Sequence, residues 1–159
     1  MEDEYQMTDE ELNGIMGYEY DNVKRCGILD YGFELEEIKD KNYTVWRMIM
    51  SAPDDSDYKG GKYLIQVQFF KDYPLVNPKI TFLTKIYHCN VKDNGELNVN
   101  WLMKGMKIDY IMPRLLTLFY LQDPSVDKDS EKSKLYNSDK KKFIENIKKN
   151  AQEAKGKFN

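Results

Sequence analysis

The chain has 159 residues, and its 24 Lys and Arg against 27 Asp and Glu give a formal net charge of −3. This length predicts one domain, the charge balance argues against nucleic acid as a partner, and no apolar run approaches the roughly 18 residues of a membrane-spanning helix. Two cysteines cannot build a disulfide framework and no signal-peptide pattern is visible, so we expect a cytoplasmic and/or nuclear protein.

The N-terminal part combines an acidic segment with a helical pattern. Residues 1–11 contain six acidic side chains and no basic one, which predicts a flexible tail before a single domain at residues 12–159. Four apolar side chains then recur at helical spacing and predict a helix. An apolar stripe beside a charged tail fits a partner's groove, so these side chains are candidate partner contacts; the alternative is packing on the chain's own sheet. They are Leu12, Ile15, Met16 and Tyr20.

The middle of the chain changes to a period of two, which is typical of strands with one buried face. Apolar and polar side chains alternate from Trp46 to Ser51 and again over Lys62–Phe70. A third strand is predicted over Lys79–Thr84, after a bend that contains two prolines. Consecutive strands with short connections predict an antiparallel meander that helices can cover on one face.

Helical patterns return in the C-terminal third. The apolar segment 115–121 ends before Pro124 and predicts a buried helix. Ser138 with Asp139 provides an N-cap for a last amphipathic helix, whose apolar stripe runs from Phe143 to Ala154. Strands in one block and helices in others indicate an α+β domain.

Residues capable of metal or nucleophilic chemistry are few. His88 is the only histidine, and neither Cys26 nor Cys89 has metal-ligand spacing, so no metal is expected. No glycine-rich phosphate loop occurs, so no nucleotide or other cofactor is expected. Cys89 follows His88 directly, but adjacent side chains of an extended chain point to opposite faces. The pair is therefore interpreted as a polar turn residue and a small buried thiol.

A series of motifs runs through the centre of the chain. It comprises Trp46, Pro53, Tyr58-x-Gly60-Gly61, Tyr73-Pro74-x-x-x-Pro78-Lys79, the run Phe82 to Asn90, Asn94-Gly95-Glu96, Asp123-Pro124 and Tyr136. In order and spacing, this series resembles the ubiquitin-conjugating enzyme family over residues 44–150. The resemblance implies an N-terminal helix, a four-stranded antiparallel meander and C-terminal helices, in agreement with the patterns above.

The resemblance also locates the catalytic position. Active members carry a thioester-forming cysteine eight residues after the asparagine of a His-Pro-Asn signature; here the signature reads His88-Cys89-Asn90, and position 98 is Asn98. An amide is a negligible nucleophile at neutral pH, so thioester chemistry at Asn98 is chemically excluded. Met106-Lys107-Ile108 stands where the family has Trp-Ser-Pro. In active members the asparagine stabilises an oxyanion; without a nucleophile, Asn90 and His88 are predicted to anchor the loop.

With these features, the chain resembles the ubiquitin-conjugating enzyme variants, which are pseudoenzymes. Such a protein forms a heterodimer with an active conjugating enzyme and orients acceptor ubiquitin, or a ubiquitin-like protein, towards the thioester, and orientation alone can accelerate a reaction greatly. Two alternatives stay open. One is an active enzyme with a relocated nucleophile, Cys89 or Cys26, and the other is a ubiquitin-binding scaffold domain without a dedicated enzyme partner.

Overall fold

The structure is a computed structural model that describes residues 3–159, and it shows an α+β fold. In this part of the chain, four helices and four strands alternate with loops and two short 3₁₀ turns. In chain order they are α1 (Asp9–Arg25), β1 (Phe33–Leu35), β2 (Val45–Ser51), β3 (Lys62–Gln68), β4 (Lys79–Phe82), α2 (Ile108–Leu116), α3 (Glu131–Ser138) and α4 (Lys140–Glu153). The predicted N-terminal helix, antiparallel meander and C-terminal helices are confirmed.

Helix α1 begins before the apolar stripe does. The Thr8 side chain accepts a hydrogen bond from the Glu11 N–H, and the Glu11 carboxylate accepts one from the Thr8 N–H, so the two residues form a capping box. Acidic side chains in the first turn also favour the positive end of the helix dipole. Residues 9–11 of the predicted tail therefore belong to the helix, while residues 1 and 2 of that tail lie outside the described residues.

The sheet is an antiparallel meander in the order β1-β2-β3-β4. Trp46 faces Val67 and Met48 faces Ile65 across the central pair, which places these four side chains on the face that the helices cover. On that face the Tyr20 ring of α1 packs edge-on against Trp46, with ring centroids 5.5 Å apart. The alternation that predicted β2 and β3 is therefore also what buries the core.

The middle helix lies earlier in the chain than its apolar run predicts. Helix α2 covers Ile108–Leu116, where buried side chains recur at helical intervals, and the rest of the run forms a 3₁₀ turn at Thr117–Phe119. The helix predicted over 115–121 therefore lies several residues earlier in the chain, and only its last two residues fall within the predicted range. Both segments are strongly apolar, so hydrophobicity alone could not separate the helix from the turn that follows it.

The C-terminal region contains one helix that the sequence did not indicate. Helix α3 is capped by Ser130, whose side chain accepts a hydrogen bond from the Ser133 N–H, and Ser133 is its only buried residue. The Asp139 side chain caps α4 by accepting a hydrogen bond from the Lys142 N–H. Ser138, which the sequence paired with Asp139 in this cap, is instead the last residue of α3.

Within residues 3–159, no helix has the length and apolar character needed to cross a membrane.

Candidate functional site

The loop between β4 and α2 carries the signature residues, and His88 fixes its start. The imidazole is fully buried; Nε2 donates to the Leu118 carbonyl at 2.7 Å, and Nδ1 accepts from the Asn90 N–H at 2.9 Å. Burial lowers the pKa of His88 to about 4, because the charged imidazolium loses its hydration. His88 is therefore a neutral anchor near pH 7, with the proton on Nε2.

Asn90 joins three segments of backbone. Its side-chain N–H groups donate to the carbonyls of Asn98, at 3.2 Å, and Asp123, at 2.9 Å, while Oδ1 accepts from the Asp123 N–H at 2.9 Å. The Asn98 N–H in turn donates to the Asn90 carbonyl at 2.7 Å. With both donors engaged and only 3% of the residue exposed, this amide holds the loop in place, in line with the anchoring role predicted for it.

Asn98, which the resemblance assigns to the nucleophile position, lines an open groove of about 400 Å³. The groove carries four carboxylates and two lysines, one of which, Lys132, contacts the Val91 carbonyl and lies 3.7 Å from Asp93. Burial lowers the pKa of Lys132. A nucleophile here would face a surface with more negative than positive groups. The groove is lined by Cys89, Val91, Lys92, Asp93, Asn98, Asp127, Asp129, Ser130, Glu131 and Lys132.

Neither cysteine is placed as an activated nucleophile. Cys89 shares the groove with Asn98 but is only 4% exposed, and burial raises the pKa of its thiol. Reactive cysteines instead combine exposure with surroundings that lower the pKa. Cys26 is exposed and forms the C-cap of α1, outside the residues that line the groove of Asn98.

The predicted partner-binding stripe lies mostly inside the molecule. Leu12, Met16 and Tyr20 are buried in the core, and the Tyr20 hydroxyl donates to the Glu36 carbonyl at 3.0 Å. This burial favours the alternative stated for the stripe, in which these side chains pack on the chain's own sheet. Ile15 alone of the four keeps a substantial exposed surface, at 37%.

Two groups at the site were not found from the sequence. Gln122 accepts from the Cys89 N–H at 2.8 Å and donates to the Tyr58 hydroxyl at 2.8 Å, so one side chain links the signature loop to the Tyr58 loop. Lys132 reaches the groove from α3. Both come from segments more than 30 residues further along the chain, and no local pattern marks them.

Among residues 3–159, no cluster of three or more His, Cys, Asp or Glu side chains could hold a metal ion.

An exposed apolar patch lies on two loops that contact each other. Leu75 and Val76 project from the loop between β3 and β4, and Met103 from the loop before α2; the residues are 64%, 42% and 65% exposed. The Gly105 N–H donates to the Pro74 carbonyl at 2.9 Å, which ties the two loops together. We call Leu75, Val76 and Met103 the loop patch.

The helix, meander and signature loop define a ubiquitin-conjugating-enzyme fold, and comparisons with known proteins agree. The family model described as ubiquitin-conjugating enzyme matches residues 19–151, so the chain belongs to that family. It is 31% identical over 132 residues to ubiquitin-conjugating enzyme E2 ubc-18 of Caenorhabditis elegans, covering 79% of this chain and 84% of that protein. It is 29% identical over 113 residues to the probable ubiquitin-conjugating enzyme E2 L460 of Acanthamoeba polyphaga mimivirus, covering 68% and 72%.

Proposed function

We propose that this protein is a non-catalytic member of the ubiquitin-conjugating enzyme family that binds an active conjugating enzyme and positions acceptor ubiquitin or a ubiquitin-like protein. The observation that carries the proposal is the amide of Asn98 at the nucleophile position, since an amide cannot form a thioester. Family membership makes ubiquitin conjugation the pathway in which the chain acts.

The surroundings of Asn98 support the absence of chemistry at this site. The nearby Cys89 thiol is buried with a raised pKa, which argues against the alternative of a relocated nucleophile. The side-chain N–H groups of Asn90 donate to two carbonyls and would have to leave them to stabilise an oxyanion. The fold instead provides a loop held in place by hydrogen bonds and a surface on which another protein can bind.

The loop patch supports a role in binding another protein. Scattered apolar side chains are normal on a surface, but these three large ones lie on two loops that a backbone hydrogen bond joins. A partner that covers the patch would bury side chains now mostly exposed. This supports both the heterodimer and the alternative of a ubiquitin-binding scaffold, which experiment must distinguish.

A charging assay tests whether the protein is inactive. Purified protein is incubated with ubiquitin-activating enzyme, ATP and ubiquitin, beside an active conjugating enzyme as positive control. We expect no adduct that is sensitive to reducing agent, because no exposed thiolate is available at the site. A thiol-labile band that disappears in Cys89→Ser, and persists in Cys26→Ser, would overturn the proposal in favour of a relocated nucleophile.

A conjugation assay then separates positioning from simple binding. Active conjugating enzymes are charged with ubiquitin, and the formation of ubiquitin chains is followed with and without this protein. We expect the chain-forming rate to rise with at least one enzyme, because a held acceptor raises the effective concentration of its lysine. Binding to ubiquitin without any rate effect across the panel would favour the scaffold domain instead.

A further inference from the structure

The two loops that carry the loop patch are joined by hydrogen bonds on both sides of it. The Ile108 N–H donates to the Tyr73 hydroxyl at 2.7 Å, and the Asn77 side chain donates to the Leu102 carbonyl at 3.3 Å. The backbone hydrogen bond that ties the loops at Gly105 lies between these two positions along both loops. All three residues of the loop patch therefore stand on backbone that is held at three points.

The Tyr73 hydroxyl supplies a hydrogen bond that helix α2 lacks at its start. The first N–H groups of a helix have no partner within it, and the N-cap residue of α2, Lys107, provides no side-chain hydrogen bond. Ile108 is fully buried, so its N–H depends on a partner from the protein itself. The loop between β3 and β4 therefore caps α2 from a distant part of the chain.

Glu19 of α1 holds the hydroxyl in the orientation that this bond requires. Tyr73 donates its own proton to Oε2 of Glu19 at 3.4 Å, which leaves the lone pairs of the hydroxyl oxygen free to accept from the helix. The Tyr73 ring also packs edge-on against Phe69, with ring centroids 5.3 Å apart. Tyr73 is only 4% exposed and Glu19 only 6%, so a partner seated on the loop patch would reach neither of them.

A surface that is ordered before binding loses less conformational freedom on binding than a mobile one. We propose that Tyr73 is a positioning residue, which fixes the loop of Met103 against the loop of Leu75 and Val76 and so prepares the loop patch for a partner. The partner comes from the proposed function, on which this inference rests, whereas the order of the two loops is a property of this chain alone. Loss of the hydroxyl should therefore increase loop motion and weaken binding without changing the interface itself.

Hydrogen exchange of single amides tests the order of the loops. Tyr73→Phe keeps the ring and removes only the hydroxyl. We expect the Ile108 amide to exchange at least about tenfold faster in this variant, because its acceptor is gone, and the Gly105 amide to change in the same direction. The Ile147 amide, in the middle of α4, is the reference for any general loss of stability.

Two further variants separate the Tyr73 hydroxyl from unspecific effects. Tyr63→Phe removes another buried tyrosine hydroxyl, which donates to the Asn150 side chain at 2.9 Å, and should leave the Ile108 amide unchanged. Glu19→Gln keeps a side-chain oxygen that can accept the Tyr73 proton, so exchange at Ile108 should stay within about twofold of the original chain. A tenfold increase in Glu19→Gln would overturn the orienting role of Glu19.

Binding to the conjugating enzyme that responds in the conjugation assay tests the consequence. In a calorimetric titration we expect Tyr73→Phe to raise the dissociation constant at least about fivefold, and Tyr63→Phe to change it less than about twofold. At a saturating concentration of Tyr73→Phe, the rate increase should equal that of the original chain, because the bound arrangement of the loop patch is the same. A purely structural role of the hydroxyl would not produce this split between affinity and maximal rate.

Each outcome of these measurements is decisive. Equal exchange of the Ile108 amide in Tyr73→Phe and the original chain would overturn the positioning role. Faster exchange with unchanged affinity would overturn it too, since the order of the loops would then not matter to the partner. A panel in which no enzyme responds to the original chain would instead overturn the proposed function, and the exchange measurement would still decide whether Tyr73 orders the loop patch.

Discussion

The imidazole of His88 shows how one buried polar side chain can fix a loop at a measurable energetic cost. Both ring nitrogens have partners, so burial leaves no polar atom unsatisfied while the ring is neutral. Protonation would place a donor at Nδ1, opposite the Asn90 N–H, and would put an unsolvated charge in the interior. Protonation of this histidine therefore costs free energy that the folded loop must supply.

The charge state of His88 can be measured directly, because it is the only histidine. We expect a single imidazole titration with a pKa of about 4, well below the ordinary value of 6.5. Nitrogen chemical shifts at pH 7 should show the tautomer with the proton on Nε2. A titration near 6.5 in the folded protein would contradict the burial and both hydrogen bonds of the ring.

The same shift makes stability depend on pH. Between pH 6.5 and about 4 the unfolded chain binds a proton at His88 that the folded chain does not bind. The free energy of unfolding should therefore fall by up to about 3 kcal/mol as the pH is lowered through this window. Urea unfolding at several pH values measures it, and His88→Gln should lose this part of the slope. Equal slopes in both proteins would assign the pH dependence to carboxylates.

Introducing a cysteine at position 98 should not be enough to give efficient charging with ubiquitin. In Asn98→Cys the new thiol would share its groove with four carboxylates and two lysines, unlike the electropositive surroundings in which reactive cysteines are found. A displacement of ~1 Å costs roughly 100-fold, and the Met106-Lys107-Ile108 region differs from the family pattern. We expect charging with ubiquitin at least about 100-fold slower than for an active family member. If Asn98→Cys is charged at a rate comparable to that of an active family member, the site lacks only the cysteine thiol and is otherwise intact.

At the scale of whole elements, helix α1 is joined to the start of α2 through a buried carboxyl group. The Tyr73 hydroxyl accepts from the Ile108 N–H at 2.7 Å and lies 3.4 Å from Oε2 of Glu19. Glu19 is only 6% exposed, and burial raises the pKa of its carboxyl. The contact therefore holds two helices together through a group that is better accommodated when protonated.

This geometry predicts the sign of a substitution. The folded protein binds the Glu19 proton more tightly than the unfolded chain does, so this group loses stability as the pH rises above the pKa of an ordinary glutamate. Glu19→Gln should be more stable than the original chain at pH 7, with a smaller difference near pH 4. Thermal unfolding at both values measures this. A variant that is less stable at pH 7 would show that the ionised carboxylate is needed at the helix junction.

The parts of the fold that were predictable are those in which one face of an element carries the signal. Alternation in β2 and the stripe from Phe143 along α4 were read correctly from the sequence because burial and periodicity coincide. Helix α3 buries only Ser133 and so has no apolar period. At the site, Asn98 was assigned from the family resemblance, whereas the hydrogen bonds of Asn90 to Asp123 and the position of Lys132 depend on tertiary packing and have no local signal.

For the whole molecule, the proposed function requires a surface that can receive a partner. The stripe of α1 is used internally, so Ile15 is what remains of the interface predicted there, whereas the loop patch is exposed on ordered loops. The loop patch is therefore the stronger candidate for contact with an active conjugating enzyme.

Two single substitutions separate these surfaces in the conjugation assay and in a calorimetric titration with the enzyme that responds. Leu75→Glu places a charge in the loop patch and should weaken binding at least about tenfold, with loss of the rate increase. Ile15→Glu, an equivalent change on α1, should alter binding less than about twofold, because exposed sites away from an interface tolerate substitution. The reverse pattern would place the partner on α1. Unchanged binding in both variants would contradict the assignment of either surface as the contact.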